Sequence, residues 1–264
     1  MKHFSLFHVA VASISLFLFS CSKDKEKINE PEQKTFLLEK MVQTSGSTTY
    51  TNNYQYNNAG KVISESFVST TTTSPNYEGT VEYDAAGKIS KRILSNNYAT
   101  GTYDYNTDGT IKRVVNTYPS GSLNSKQYKY YTDRVVTESY NSSNAITSTI
   151  VEYYNADKTG IALSRTYNAA DVLQSETRFT YDDKKAIPGP FGSTQPFVNK
   201  RNAISAETKD AAGKVISTHE YENVYVANGT KSKVTYTYKT YTNYPTVEST
   251  LVYIYDYTYR ELIK

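Results

Sequence analysis

Cysteine is almost absent from this chain of 264 residues: Cys21 stands alone, so no intramolecular disulfide can form. Histidine is nearly as scarce. His3 and His8 fall in the first ten residues and only His219 follows, which excludes a histidine-rich zinc site. No glycine-rich phosphate loop, nucleophile elbow or EF-hand spacing occurs, so the sequence offers no catalytic residue, no metal ligands and no cofactor motif. Charge of one sign is lacking too. With 29 basic against 26 acidic residues there is no electrostatic footprint for a nucleic-acid partner. A carboxylate pair of the glycosidase kind leaves no sequence mark, so a carboxylate-dependent glycosidase stands as the enzymatic alternative to a non-catalytic protein.

Long hydrophobic runs are missing except at the start. Met1-Lys2-His3 is followed by a mostly apolar stretch from Phe4 to Ser20, without a charged stop-transfer flank. Residues 1–20 therefore read as an export signal rather than a transmembrane helix. The stretch closes as Leu18-Phe19-Ser20-Cys21, which resembles a bacterial lipobox with Leu at −3 and a small residue at −1. That resemblance implies that Cys21 is lipidated and that the partner is a membrane, reached through acyl chains worth about 0.8 kcal/mol per buried CH₂. Residues 21–34 continue as a polar, charged segment in which Ile28 is the only aliphatic residue, a flexible tether of roughly 20 Å span. The mixed charges after Cys21 also resemble surface-export signals of Bacteroidota lipoproteins. The expected address is an outer-membrane lipoprotein, periplasmic or surface-exposed.

What the chain has in abundance is tyrosine, 27 of them, with much Thr, Ser and Val. These residues favour a pleated, half-buried surface, so residues 35–264 read as all-β. The same local pattern recurs as Tyr56-Asn-Asn-Ala-Gly60-Lys-Val62, Tyr83-Asp-Ala-Ala-Gly87-Lys-Ile89 and Tyr105-Asn-Thr-Asp-Gly109-Thr-Ile111. Two departures follow: Tyr167-Asn-Ala-Ala-Asp171-Val-Leu173 and Lys209-Asp-Ala-Ala-Gly213-Lys-Val215. The turn positions suggest a unit of about 21 residues, with degenerate copies near Tyr130 and Tyr181. Each copy is a β-hairpin: Asn or Asp opens the turn by bonding its own backbone, and Gly60, Gly87, Gly109 and Gly213 supply φ > 0. Turn signals from Thr35 onward predict roughly 16 strands in one long antiparallel meander, forming a curled sheet or a soluble barrel. A membrane-spanning barrel is disfavoured, because Lys88-Ile-Ser-Lys-Arg-Ile-Leu94 and Thr110-Ile-Lys-Arg-Val-Val115 put charge where lipid would lie.

Tyr-x-Tyr-Asp/Asn-x-x-Gly-Lys-Ile/Val is similar to the YD repeat of Rhs-type shells. With the lipobox, the chain resembles a family of Bacteroidota lipoproteins with YD-like repeats and a porin-like β fold. Tyr181-Asp-Asp-Lys-Lys185 before Ile187-Pro-Gly-Pro-Phe-Gly192 and Pro196-Phe197 matches that family's Pro/Phe loop. The family carries no assigned activity, so the resemblance implies an address and a fold.

The functional expectation is a membrane-anchored, non-catalytic binding or structural module of the envelope or cell surface, with a glycan or an envelope protein as candidate partner. Glycan capture is its alternative form. The candidate stacking residues are Tyr253, Tyr255, Tyr257 and Tyr259, which share one strand face about 6.7 Å apart. Their competing reading is structural: a tyrosine ring fills core while its hydroxyl finds water or a partner.

Overall fold

The computed structural model describes residues 35–262, apart from 72–75, 96–98, 188 and 192–198. The export signal, Cys21, the tether and Pro196–Phe197 lie outside the described residues. Sixteen strands follow one another: β1 (Thr35–Ser45), β2 (Thr48–Tyr56), β3 (Val62–Ser69), β4 (Tyr77–Tyr83), β5 (Ile89–Leu94) and β6 (Thr100–Tyr105). Next come β7 (Ile111–Thr117), β8 (Leu123–Tyr130), β9 (Arg134–Tyr140), β10 (Ile146–Tyr154) and β11 (Ile161–Asn168). The chain ends on β12 (Leu173–Lys185), β13 (Arg201–Asp210), β14 (Val215–Tyr225), β15 (Lys231–Asn243) and β16 (Thr246–Leu262).

Every strand pairs antiparallel with its chain neighbours, and β16 also pairs with β1, so the meander closes into a barrel with no free edge. The seam sets Leu38 opposite Tyr259 and Gln43 opposite Tyr255. Cross-strand partners share a face, so the register separates interior from exterior. Tyr54, Glu65, Val81, Arg92 and Tyr103 face inward; Gln55, Glu82, Asp104, Glu138 and Arg165 face outward.

One four-residue turn serves both ends of the barrel. Asn57 N–H donates to the Lys61 carbonyl and Gly60 N–H to the Asn57 carbonyl; Asp84, Asn106, Asn141, Asn168 and Asp210 repeat the pattern. The Asn57 side-chain oxygen accepts from the backbone of Ala59 and Lys61. The fourth residue needs the left-handed conformation, as at Gly87, where φ is +75°; Asp171 adopts it at +60°. The five turns that look alike in sequence do not share a rim. Those at 60, 87 and 109 lie where even strands pass into odd ones, and those at 171 and 213 lie at the opposite end. Turn chemistry is the same whichever way the chain reverses, so the local motif carries no information about the rim.

Candidate functional site

The rim holding Gly60, Gly87 and Gly109 is lined from within by buried side chains. The odd strands enter the barrel on aliphatic side chains that are nearly solvent-free: Leu38, Val62, Ile89, Ile111, Val135 and Ile161. Beside them the even strands end on tyrosines. Five of these hydroxyls donate to the carbonyl at which the preceding odd strand enters: Tyr56 to Leu38, Tyr83 to Val62, Tyr105 to Ile89, Tyr130 to Ile111 and Tyr181 to Ile161. The lysine after the turn glycine completes the interlock. Lys61 lies over the Tyr83 ring and donates to the Gly87 carbonyl, and Lys88 lies over the Tyr105 ring. The repeated tyrosine, glycine, lysine and aliphatic residue thus join each hairpin to the next at the floor of the barrel.

Two further groups fill that floor. Glu65 and Arg92 form a bidentate pair, with Arg92 Nη2 2.6 Å from Glu65 Oε2. The Phe191 ring sits 4.6 Å from the Arg92 guanidinium and edge-on to Tyr54 at 6.1 Å, so part of the β12–β13 connection reaches into the barrel. The opposite end is open. Lys126, Ser249 and Leu251 face inward there and are nonetheless exposed.

The wall from β12 to β16 lines the resulting lumen. Ser217 stands opposite Thr208 and Thr240, and His219 opposite Ala206 and Tyr238. The His219 ring lies between the rings of Tyr236 and Tyr238, with Nδ1 2.7 Å from the Tyr236 hydroxyl, and burial lowers its pKa. Tyr221, Tyr236 and Tyr253 stack across three strands at 4.9 and 5.8 Å. Tyr253, Tyr255, Tyr257 and Tyr259 descend the same wall half-buried; the last three stack at 6.5 and 6.3 Å. Burial raises the phenol pKa of Tyr255 and Tyr257, and that of Tyr259 to about 12. Neighbouring rings lie face to face along this wall, so much of what they offer the lumen is edge and hydroxyl.

Low on this wall is a concavity of about 390 Å³ bounded by Tyr221, Asn223, Lys231, Tyr236, Tyr255 and Tyr257. A second, of about 420 Å³, continues toward the open end among Thr177, Thr208, Ser217, His219 and Tyr238, and shares Tyr221. A groove of about 460 Å³ on the outer face, between Gln55, Ser64, Glu78 and Thr80, is separate from both.

Lys231 is the residue that sequence reasoning missed. Tyr225-Val-Ala-Asn-Gly229-Thr-Lys231 folds as another copy of the floor hairpin: Val226 N–H meets the Thr230 carbonyl, Gly229 N–H meets the Val226 carbonyl, and Tyr225 pairs with Lys231 as Tyr56 pairs with Val62. Lys231 therefore occupies the position that is Val or Ile in five other hairpins. The detectable signal is a charged residue at an aliphatic repeat position. It was hidden because Val226 stands where Asn or Asp opens the other turns. The Lys231 ammonium lies 5.1 Å from the Tyr257 ring, and burial pulls its pKa down against the attraction of Asp182.

No group of His, Cys, Asp and Glu able to hold a metal occurs among the described residues. The exterior carries paired charges, including Lys129 with Glu138 and Arg165 and Arg178 with Glu176.

Against known proteins, no family model and no curated sequence matches the chain. Solved structures do. A porin-like protein from Bacteroides uniformis ATCC 8492 superposes with a TM-score of 0.61 at 12% identity, covering 84% of this chain and 96% of that one. A porin-like protein from Bacteroides vulgatus ATCC 8482 gives 0.54 at 12% identity, covering 85% and 98%. The chain has a porin-like barrel fold. At such identity the likeness concerns the fold alone, and the expected porin-like β architecture is the part of the family resemblance it supports.

Proposed function

We propose that the protein is a lipid-anchored, non-catalytic binding barrel of the bacterial envelope, which captures a small hydroxylated ligand in its lumen. The observation that carries this reading is the asymmetry of the barrel. One end is lined by buried aliphatic residues and Tyr bridges, with Phe191 reaching in, while toward the other lies a wall of Ser, Thr, Tyr, Asn and His side chains. We read such a lumen as a container rather than a channel. Paired charges on the exterior of the strands suit a barrel standing in water, because a lipid-facing band must be apolar. The lipobox at Cys21 would then hold the barrel at the membrane through the tether.

The acids of the interior support a non-catalytic role. A glycosidase places two carboxyl groups about 5–10 Å apart with access to substrate. Glu65 is instead committed to Arg92, so it is not free to act beside a second carboxyl group. The hydroxyl-rich wall favours a glycan over an envelope protein as ligand.

Two measurements test the reading together. Cys21→Ser should abolish fatty-acid labelling and move the protein out of the membrane fraction, whereas persistent labelling would refute the anchor. Glycan-array binding by the mature chain should fall when the lumen is narrowed by Thr208→Trp. Binding unchanged by that substitution would place the ligand outside the barrel.

A further inference from the structure

Among the tight hairpins of the floor, the one joining β14 to β15 breaks the shared rule, and it does so beside the lumenal concavity. Its entry residue is Lys231 where its sisters carry Val62, Ile89, Ile111, Val135 and Ile161. A half-buried ammonium at a packing position is costly unless something neutral or negative meets it. Among the described residues Lys231 makes no hydrogen bond and no ion pair, only its contact with the Tyr257 ring. Asp182 attracts it from further off, yet that carboxylate already accepts from the Tyr225 hydroxyl and from the backbone N–H groups of Asn202 and Lys184.

The groups around Lys231 are of one kind. The hydroxyls of Tyr221, Tyr255 and Tyr257 have no hydrogen-bond partner among the described residues. Asn223 spends its amide N–H on the Ala203 carbonyl, which leaves its side-chain oxygen toward the cavity. The concavity therefore presents one cation, several phenol donors and one acceptor, with no carboxylate among its lining residues.

We infer that this concavity is an oxyanion-specific subsite, in which Lys231 receives the carboxylate of a uronate sugar while Tyr221, Tyr255, Tyr257 and Asn223 meet its ring hydroxyls. The inference rests on the reading of the lumen as a glycan-binding cup and deepens it by naming the sugar class. Charge-assisted hydrogen bonds are stronger than neutral ones, so an ammonium at the bottom of an otherwise neutral pocket selects acidic over neutral sugars. Phosphate shares the oxyanion chemistry but lacks the ring hydroxyls that four neighbouring groups would meet.

The test is calorimetric titration of the mature full chain with a glucuronate oligomer, the corresponding glucose oligomer and inorganic phosphate. The glucuronate oligomer should bind best, and Lys231→Met should weaken it by about tenfold or more, since truncating one partner of a desolvated charge pair mainly speeds dissociation. Methionine approaches the aliphatic type of the sister hairpins, so this variant should fold. Tyr255→Phe, which removes one hydroxyl and keeps the ring, provides an independent loss of affinity for the same ligand. Equal binding of acidic and neutral oligomers, unchanged in Lys231→Met, would overturn the inference while leaving lumenal capture standing. Phosphate binding as tightly as the glucuronate oligomer would overturn the assignment to a sugar. Binding of none of the three by the unaltered protein would overturn both this inference and the glycan reading beneath it.

Discussion

Replacing Arg92 with Met should be among the most damaging single changes in the floor of the barrel. Glu65 keeps only 3% of its side chain exposed and Arg92 27%, so the carboxylate depends on its partner rather than on water. Gly79 lies beneath: a Cβ there would sit 2.7 Å from Glu65 Cγ and Oε1, so the absence of a side chain at 79 is what lets Glu65 cross to Arg92. Removing the guanidinium strands a buried carboxylate, which costs about 3–5 kcal/mol. That is a large share of a typical stability of roughly 5–15 kcal/mol. The Phe191 ring would lose its cation at the same time. Urea unfolding followed by tyrosine fluorescence suits a chain with 27 Tyr and no Trp. The decisive comparison is Arg92→Met/Glu65→Leu, which removes both charges and should recover most of the loss, because apolar replacement of a buried pair is often neutral. A single Arg92→Met variant that lost less than about 1 kcal/mol would refute the claim that Glu65 is desolvated. So would a double variant showing the simple sum of the two single losses.

Three other outcomes follow from the same geometry. Gly87→Val forces a Cβ into a left-handed turn and displaces the Lys61 ammonium from the Gly87 carbonyl; chemical denaturation should show a loss of about 1–2 kcal/mol. Tyr83→Phe deletes the 2.6 Å bond to the Val62 carbonyl and should cost about 0.5–1.5 kcal/mol in the same assay, since the ring remains. Lys231 should give the pH profile of stability a recognisable slope. Its folded pKa lies below the ordinary 10.5, so charging it costs stability at lower pH, and that cost disappears as pH rises from the folded value through 10.5. Tyr221, Tyr236, Tyr255 and Tyr257 face it and titrate higher than usual, so the quantity to follow is the difference between the unaltered protein and Lys231→Met. That difference should shrink with rising pH across the window.

The elements of this barrel are legible from sequence because hairpin chemistry is local. Asn57, Asp84 and Asn106 bond their own turns, Gly60, Gly87 and Gly109 take the conformation other residues resist, and alternation fills the strands between. All-β class and sixteen antiparallel strands follow from these features. Closure does not, because it rests on β1 meeting β16, a pairing between the two ends of the repeat domain that no turn motif encodes. The packing of the floor is hidden for the same reason: Glu65 and Arg92 are 27 residues apart, and Phe191 arrives from the β12–β13 connection. The Tyr253–Tyr259 stripe shows the limit of pattern reading most clearly. Alternation places four rings on one face, but the ring contacts with Tyr236 and along β16 decide what those rings offer the lumen.

Tyrosine plays two roles in the barrel, and the contrast between them locates the site. At Tyr56, Tyr83, Tyr105, Tyr130 and Tyr181 the hydroxyl is spent on a neighbouring carbonyl, so ring and hydroxyl both serve the fold. At Tyr221, Tyr255 and Tyr257 the ring packs while the hydroxyl is left without a partner among the described residues, facing a cavity. Repeats that bury an aliphatic residue and satisfy a tyrosine obey every rule of a stable core, and agreement among such levels specifies a scaffold. The β14–β15 hairpin breaks the rule twice, turning Tyr225 to Asp182 instead of a carbonyl and setting Lys231 in an aliphatic place. Both departures fall in the hairpin whose Lys231 borders the cavity lined by the unpartnered hydroxyls. A departure from the packing rule that coincides with free donors and a cation in one cavity is the arrangement expected where ligand, rather than protein, supplies the missing partners.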